Sequence, residues 1–401
     1  MRFDPSRVRV SGPLARHAIA LGDQLLLAGY PPERTVRHVQ LLAQLSRWME
    51  TRGVGEAELC EERLGEFLEA RREAGYWGKP SVGWLSKLLG LIPGLEVTPA
   101  PRPAPTAAEQ LIERYCHHLR QERGLATSTI RGYVDHARRF VSGFEGADGE
   151  LDLSGVTAEA VISFVVEQRR HRCLGSAAKA VTVLRSLLRF LSLEGAVAAG
   201  LADAVPAVSV CKGYLPRALS SETVTALLDG CDNSSPMGKR DLAVLTLLIR
   251  LGLRAGEVAG LTLDDVDWSH GELVVRGKGS RQERLPLPVD VGEALVSYLN
   301  GGRPAADCRA VFLRTKAPIR AMTSSAVTMI VASACRRAAV GPVGAHRLRH
   351  SAATTMLHAG VPLADVGQVL RQTALSTTAI YAKVDRVALR ALARPWPGAL
   401  S

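Results

Sequence analysis

The apolar positions of this chain fall into short stripes at helical spacing, broken by glycine and proline. Leu14, Ala18, Leu21 and Leu25 recur at three- and four-residue intervals and predict a first helix after a loose polar arm over residues 1–13. Gly29, Tyr30, Pro31 and Pro32 form a turn, and Thr35 is placed to cap a second helix carrying Val39, Leu42, Leu45 and Trp48. Residues 59–67 give a third apolar segment, residues 77–95 are mixed, and Pro99, Pro101, Pro103 and Pro105 read as an extended linker over 99–105. From Thr106 the layout returns. Leu111, Tyr115 and Leu119 make one helix. After Gly124, Thr127, Ser128 and Thr129 open a second that runs through Tyr133, Ala137 and Phe140. Val156, Val161, Phe164 and Val165 mark a third, and residues 176–193 a fourth, with Val183, Leu187 and Phe190 beneath Lys179, Arg185 and Arg189. Residues 29–48 and 124–140 share a turn, a hydroxyl cap, a basic residue and an apolar stripe. This is either a duplicated helical domain or two helical segments with common patterning.

Pro206, Lys212, Gly213 and Pro216 mark a second linker over 196–216. Beyond it, Ser220, Ser221 and Glu222 cap a short helix. Residues 241–251 are almost wholly apolar and predict a buried helix ending at Gly252. The period then changes: residues 272–276 and 284–288 flank a basic turn, Gly277 to Gln282, as a hairpin would. Helices follow over 290–299 and 326–338. The last stretch places His346 and Arg349 on one helix face, ahead of Ala352, Ala353, Met356 and Leu357. Gly360 and Pro362 end that helix. Val366, Val369 and Leu370 lie in the next, and Ser376, Thr377 and Thr378 lead into a helix with Tyr381 one turn inside. The fold class this predicts is mainly α with a small antiparallel β-sheet: helical domains followed by a mixed α/β domain.

Composition narrows the partners. Fifty Lys and Arg against 39 Asp and Glu give a net charge of +11 over 401 residues, which suits a polyanion, although a basic enzyme without such a partner carries the same surplus. The seven cysteines are scattered without a C-x-x-C pair, which predicts reduced thiols and a cytoplasmic location rather than a metal centre. The first ten residues lack the apolar core of a signal peptide, and no 18-residue apolar run predicts a membrane span.

A cationic cluster followed by a placed tyrosine suits nucleophilic attack on a phosphodiester. Guanidinium groups bind the non-bridging oxygens and the phenol supplies the nucleophile. Three short motifs carry a resemblance here: His346-Arg347-Leu348-Arg349-His350, Leu370-Arg371-Gln372 and Ser376-Thr377-Thr378-Ala379-Ile380-Tyr381. In type and order they resemble the H-x-x-R-H, L-G-H and S-T-T-x-x-Y boxes of the tyrosine recombinases, the family of phage integrases and Xer recombinases. Leu253-Arg254-Ala255-Gly256-Glu257 resembles the first box of that family, and Gly277-Lys278-Gly279 its hairpin lysine. Gln372 departs from the pattern, standing where the family usually has His or Trp.

The resemblance implies roles. Arg254 and Arg349 would hold the phosphate, Lys278 would protonate the leaving oxygen, and His346 would move a proton or bind a non-bridging oxygen. Gln372 would donate an amide N–H, Tyr381 would be the nucleophile, Glu257 a buried partner orienting the site, and His350 a packing partner. Neither ATP, a metal nor any other cofactor is then required. Residues 106–195 resemble the family's core-binding domain, with Thr129, Arg131, Lys179 and Arg185 as candidate DNA contacts, and 217–401 its catalytic domain. Residues 1–98 are an extra helical domain that the resemblance does not explain. The implied partners are double-stranded DNA and further copies of the chain, as a tetramer on two sites. Two alternatives share parts of this reading: a type IB topoisomerase, and a DNA-binding protein with a decayed site.

Overall fold

The computed structural model describes residues 4, 7–76, 78, 80–100, 104–146, 148–171, 174–208, 218–277 and 282–371. The chain forms two compact units: Met1–Thr98 together with Leu215–Ser401, and Pro99–Tyr214. No described helix is long and apolar enough to cross a membrane.

The N-terminal part of the first unit is four helices: α1 (Ala18–Leu27), α2 (Pro32–Arg52), α3 (Glu61–Glu73) and α4 (Val82–Leu89). Leu21, Leu25, Leu42, Leu45 and Met49 meet in its core, so the predicted stripes face inward. Two expectations change. Thr35 does not cap α2, because Pro31 is the N-cap and Pro32 the first helical residue. Thr35 is instead fully buried, and its hydroxyl donates to the Pro31 carbonyl. The mixed stretch after Trp77 contains α4, whose N-terminus is capped by the Ser81 hydroxyl accepting from Trp84 N–H. Its eight residues are too few for a clear period to show in the sequence.

The second unit contains α5 (Ala107–Gln121), α6 (Thr127–Val141), α7 (Ala158–His171) and α8 (Leu174–Leu193). Thr106 and Glu109 form a reciprocal cap at the start of α5. Leu111, Tyr115, Leu119, Phe140, Val161, Leu187 and Phe190 close the core.

The rest of the first unit is built around an apolar helix. It contains α9 (Ser221–Asp229), α10 (Pro236–Arg250), α11 (Ala255–Ala259), the strands β1 (Val266–Asp267), β2 (Glu272–Arg276) and β3 (Gln282–Pro286), then α12 (Val289–Gly301), α13 (Ser324–Arg337), α14 (Ala345–His358) and α15 (Leu363–Val369). Helix α10 packs on α12, α13 and α14. Its Leu245, Leu247 and Leu248 are fully buried, each contributing roughly 1.5–3 kcal/mol by leaving water. The strands pair antiparallel in the order β1-β2-β3, with Val266 opposite Leu273 and Leu273 opposite Leu285. Leu273, Val275 and Leu285 face the core at period two. The second hairpin strand starts two residues earlier than the apolar pattern predicts, because Gln282 pairs with Arg276. Strand β1, only two residues long, left no pattern to read. The N-terminal helices join this part through the Ile319 N–H, which donates to the Ala28 carbonyl at 2.8 Å.

Candidate active site

The site is assembled where α10 ends. Gly252, at φ +58°, turns the chain back through Leu253 to Arg254, which is the N-cap of α11. A side chain at position 252 meets a second obstacle: its Cβ falls 2.7 Å from Leu370 Cδ2. Both the left-handed backbone and the close approach therefore require glycine.

Glu257 sits one turn into α11 and reaches back to the Arg254 backbone N–H at 2.8 Å, satisfying one free donor at the helix start. The same carboxylate accepts the Arg254 guanidinium at 2.6 Å and that of Arg371 at 2.8 Å. Burial of Glu257 raises its pKa. The Arg254 N–H, the Arg371 charge and the Arg254 guanidinium together outweigh that and hold it below the usual carboxylate range. Glu257 is thus buried, as the resemblance implied, and its surroundings favour the ionised form. Arg254 stays open to solvent, its side chain 44% exposed.

Arg349 comes from the first turns of α14 and is buried, 2% exposed. Its Nη1 donates to the Gly252 carbonyl at 2.7 Å and its Nη2 to the Leu370 carbonyl. Arg349 therefore ties together the turn before Arg254 and the end of α15. His346 lies one turn earlier and stacks edge-on with His350 at 4.4 Å. Partial burial lowers the His346 pKa below its ordinary value, and the charges of Arg349 and Arg254 lower it further. His350 is lowered by burial, by His346 and by Arg349. Both shifts favour the uncharged rings.

At the turn end of the β2–β3 hairpin, Arg276 pairs with the buried Asp265 at 2.7 Å. Lys278, Gln372 and Tyr381 lie outside the described residues. So Arg254, His346 and Arg349 are brought together, joined by Glu257 and by Arg371, which the sequence reading passed over. The signal for Arg371 was present: an arginine stands where the resembled box has glycine.

In the second unit, Thr129 and Arg131 lie in the first two turns of α6. Lys179 of α8 crosses that helix at Gly132, where a Cβ would strike its Nζ. Arg185 differs: it is half-buried and donates to the Val205 carbonyl at 2.8 Å, a bond that fastens the chain leaving α8.

An ionised carboxylate holding two guanidinium groups, with a third arginine and an imidazole beside them, makes a site for an anion such as a phosphodiester. The phage integrase family profile matches residues 217–387, and the profile of the phage integrase N-terminal SAM-like domain matches residues 112–195. The chain is 38% identical over 397 residues to the Sinorhizobium fredii protein y4rA, named an integrase/recombinase, covering 96% of this chain and 95% of the relative. It is 34% identical over 311 residues to the tyrosine recombinase XerD of Mycobacterium tuberculosis, covering 73% of this chain and 98% of XerD. The chain belongs to the phage integrase family of tyrosine recombinases, and its activity is site-specific recombination. Solved structures share the fold. XerH bound to its difH substrate matches at a TM-score of 0.54 and 19% identity, over 71% of this chain and 84% of that one. A lambda integrase tetramer bound to a Holliday junction matches at 0.56 and 15%, over 84% and 88%. The mainly helical fold with a small antiparallel sheet is thereby borne out, and the topoisomerase and decayed-site alternatives give way to recombination.

Proposed function

We propose that this enzyme cuts and rejoins double-stranded DNA through a 3′-phosphotyrosyl intermediate, for integration, excision or transposition of a mobile element. The observation that carries this reading is the cluster of Arg254, Arg349 and His346 around Glu257. The Tyr381 oxygen attacks the scissile phosphorus as its proton passes to His346, and the 5′ oxygen leaves with a proton from Lys278. Negative charge grows on the non-bridging oxygens. Arg254, Arg349, His346 and the Gln372 amide are the groups that stabilise it. Loss of one such preorganised donor typically costs ~3 kcal/mol. The phosphotyrosyl bond conserves the energy of the broken one, so a second 5′ hydroxyl reverses the step without ATP.

The domains of this reading are an extra helical domain over 1–98, a linker over 99–105, a core-binding domain over 106–195, a linker over 196–216 and the catalytic domain over 217–401. Thr129, Arg131 and Lys179 are the DNA contacts we favour on the core-binding domain, and Arg185 serves its packing. The XerH and lambda integrase structures contain DNA, and one lambda structure is a tetramer on a junction. By analogy the chain works as a tetramer on two duplexes, in the cytoplasm.

The test is covalent capture on nicked duplexes prepared from the source genome. Wild type forms a protein–DNA adduct that resists denaturation, and Tyr381→Phe binds the same DNA without forming one. Adduct formation by Tyr381→Phe refutes the assignment.

A further inference from the structure

Arg371 is the least expected residue of the site. It follows α15 with φ +53°, a left-handed conformation that suits glycine and strains a residue with a Cβ. It is also buried, 7% exposed, so its charge has lost most of its hydration. Its Nη1 donates to the Val369 carbonyl at 2.9 Å and its Nη2 to Glu257 Oε2 at 2.8 Å. Its own carbonyl accepts from Arg254 Nη2 at 3.4 Å. The residue thus touches Arg254 twice: through its backbone, and through the carboxylate that both guanidinium groups share.

Charge decides what this arrangement does. Glu257 and Arg254 alone form a neutral pair, and a phosphate approaching Arg254 would compete with a full carboxylate charge beside it. Arg371 brings the trio to a net charge of +1 and meets the carboxylate from the buried side. A buried ion pair adds little net stability once both groups are desolvated, so folding alone is a weak reason to hold an arginine in a strained backbone.

We propose that Arg371 is a positioning residue: it neutralises Glu257 from within, so that the exposed Arg254 guanidinium keeps its orientation and its pull on the scissile phosphate. This rests on the recombinase reading above. It does not require Arg371 to touch DNA.

The test compares full-length Arg371→Met, Arg371→Lys and Arg371→Gly with wild type, using the nicked genomic duplexes as the probe. Adduct formation by wild type establishes the recombinase chemistry independently. With that in hand, Arg371→Met should form adduct about 10- to 100-fold more slowly, the scale of a small misplacement of a catalytic group, at nearly unchanged DNA affinity. Arg371→Lys, which keeps the charge, should recover much of the rate. Arg371→Gly relieves the backbone strain and so should fold even if the methionine variant does not, yet it should be as slow. In a Glu257→Gln background, loss of Arg371 should cost little more, because the two act through one interaction. The proposal is overturned if Arg371→Met and Arg371→Gly react at the wild-type rate, if lysine is no better than methionine, or if the losses at 257 and 371 multiply. Absence of adduct from wild type would instead remove the reading beneath it.

Discussion

Substituting Gly252 with alanine tests the geometry on which the site is hung. The residue has φ +58°, and an L-residue in that region costs about 1–2 kcal/mol. The new Cβ would also lie 2.7 Å from Leu370 Cδ2, and Leu370 is fully buried, so one of them must move. Overpacking of this kind typically costs about 1–3 kcal/mol, and the two costs together give about 2–5 kcal/mol. Gly292 in α12 is the contrast. Its Cβ would meet only Leu287, at 3.8 Å, in ordinary contact, and alanine there should stabilise the helix by about 0.5–1 kcal/mol. Urea unfolding followed by tryptophan fluorescence reads both effects. Trp48, Trp77, Trp84, Trp268 and Trp396 all fall within Met1–Thr98 or Leu215–Ser401, so the signal reports on that unit. Gly252→Ala should lower the midpoint and slow DNA cleavage, since Gly252 and Leu370 both accept from Arg349. Gly292→Ala should raise the midpoint and leave cleavage unchanged. If Gly252→Ala unfolds at or above the wild-type midpoint, the argument from backbone and close approach is wrong.

Three further outcomes follow from the site. His346 and His350 have pKa values below the ordinary 6.5, so the unfolded chain binds their protons more readily; stability should be complete above pH 6.5 and fall as pH drops through the lowered values. Glu257, also lowered, adds a second loss of stability further into acid, so urea midpoints against pH should show two legs; His346→Gln with His350→Gln should shrink only the first, whose remainder comes from His38, lowered by its burial. Gln372→Ala should slow single-turnover cleavage by roughly one to two powers of ten while Gln372→His keeps or raises it; an unchanged rate in the alanine variant would make the amide a bystander. DNA affinity should fall steeply with salt as bound counterions are released, and a flat response in a filter-binding titration would argue against a protein that grips the duplex with many cations.

The sequence by itself determined the local pieces, because helix period, caps and turns depend on neighbours a few residues apart. The α5, α6 and α8 stripes, the Ser220 cap, the buried α10 and the β2–β3 hairpin could all be read that way. The motifs around Arg254, His346 and Arg349 were legible too, and Glu257 could be named as their buried partner. Tertiary structure decided the rest. Thr35 follows a proline pair that starts the helix ahead of it, so a hydroxyl that looked like a cap is packed inside. Arg185 stood in a basic row on α8, but its guanidinium reaches a carbonyl twenty residues on, which no helical periodicity encodes. Arg371 and Glu257 are 114 positions apart. Their ion pair exists only because α14 carries Arg349 against the turn at Gly252 and draws the end of α15 beside it. Which charges share a buried carboxylate is set by that packing, and the order of residues along the chain does not contain it.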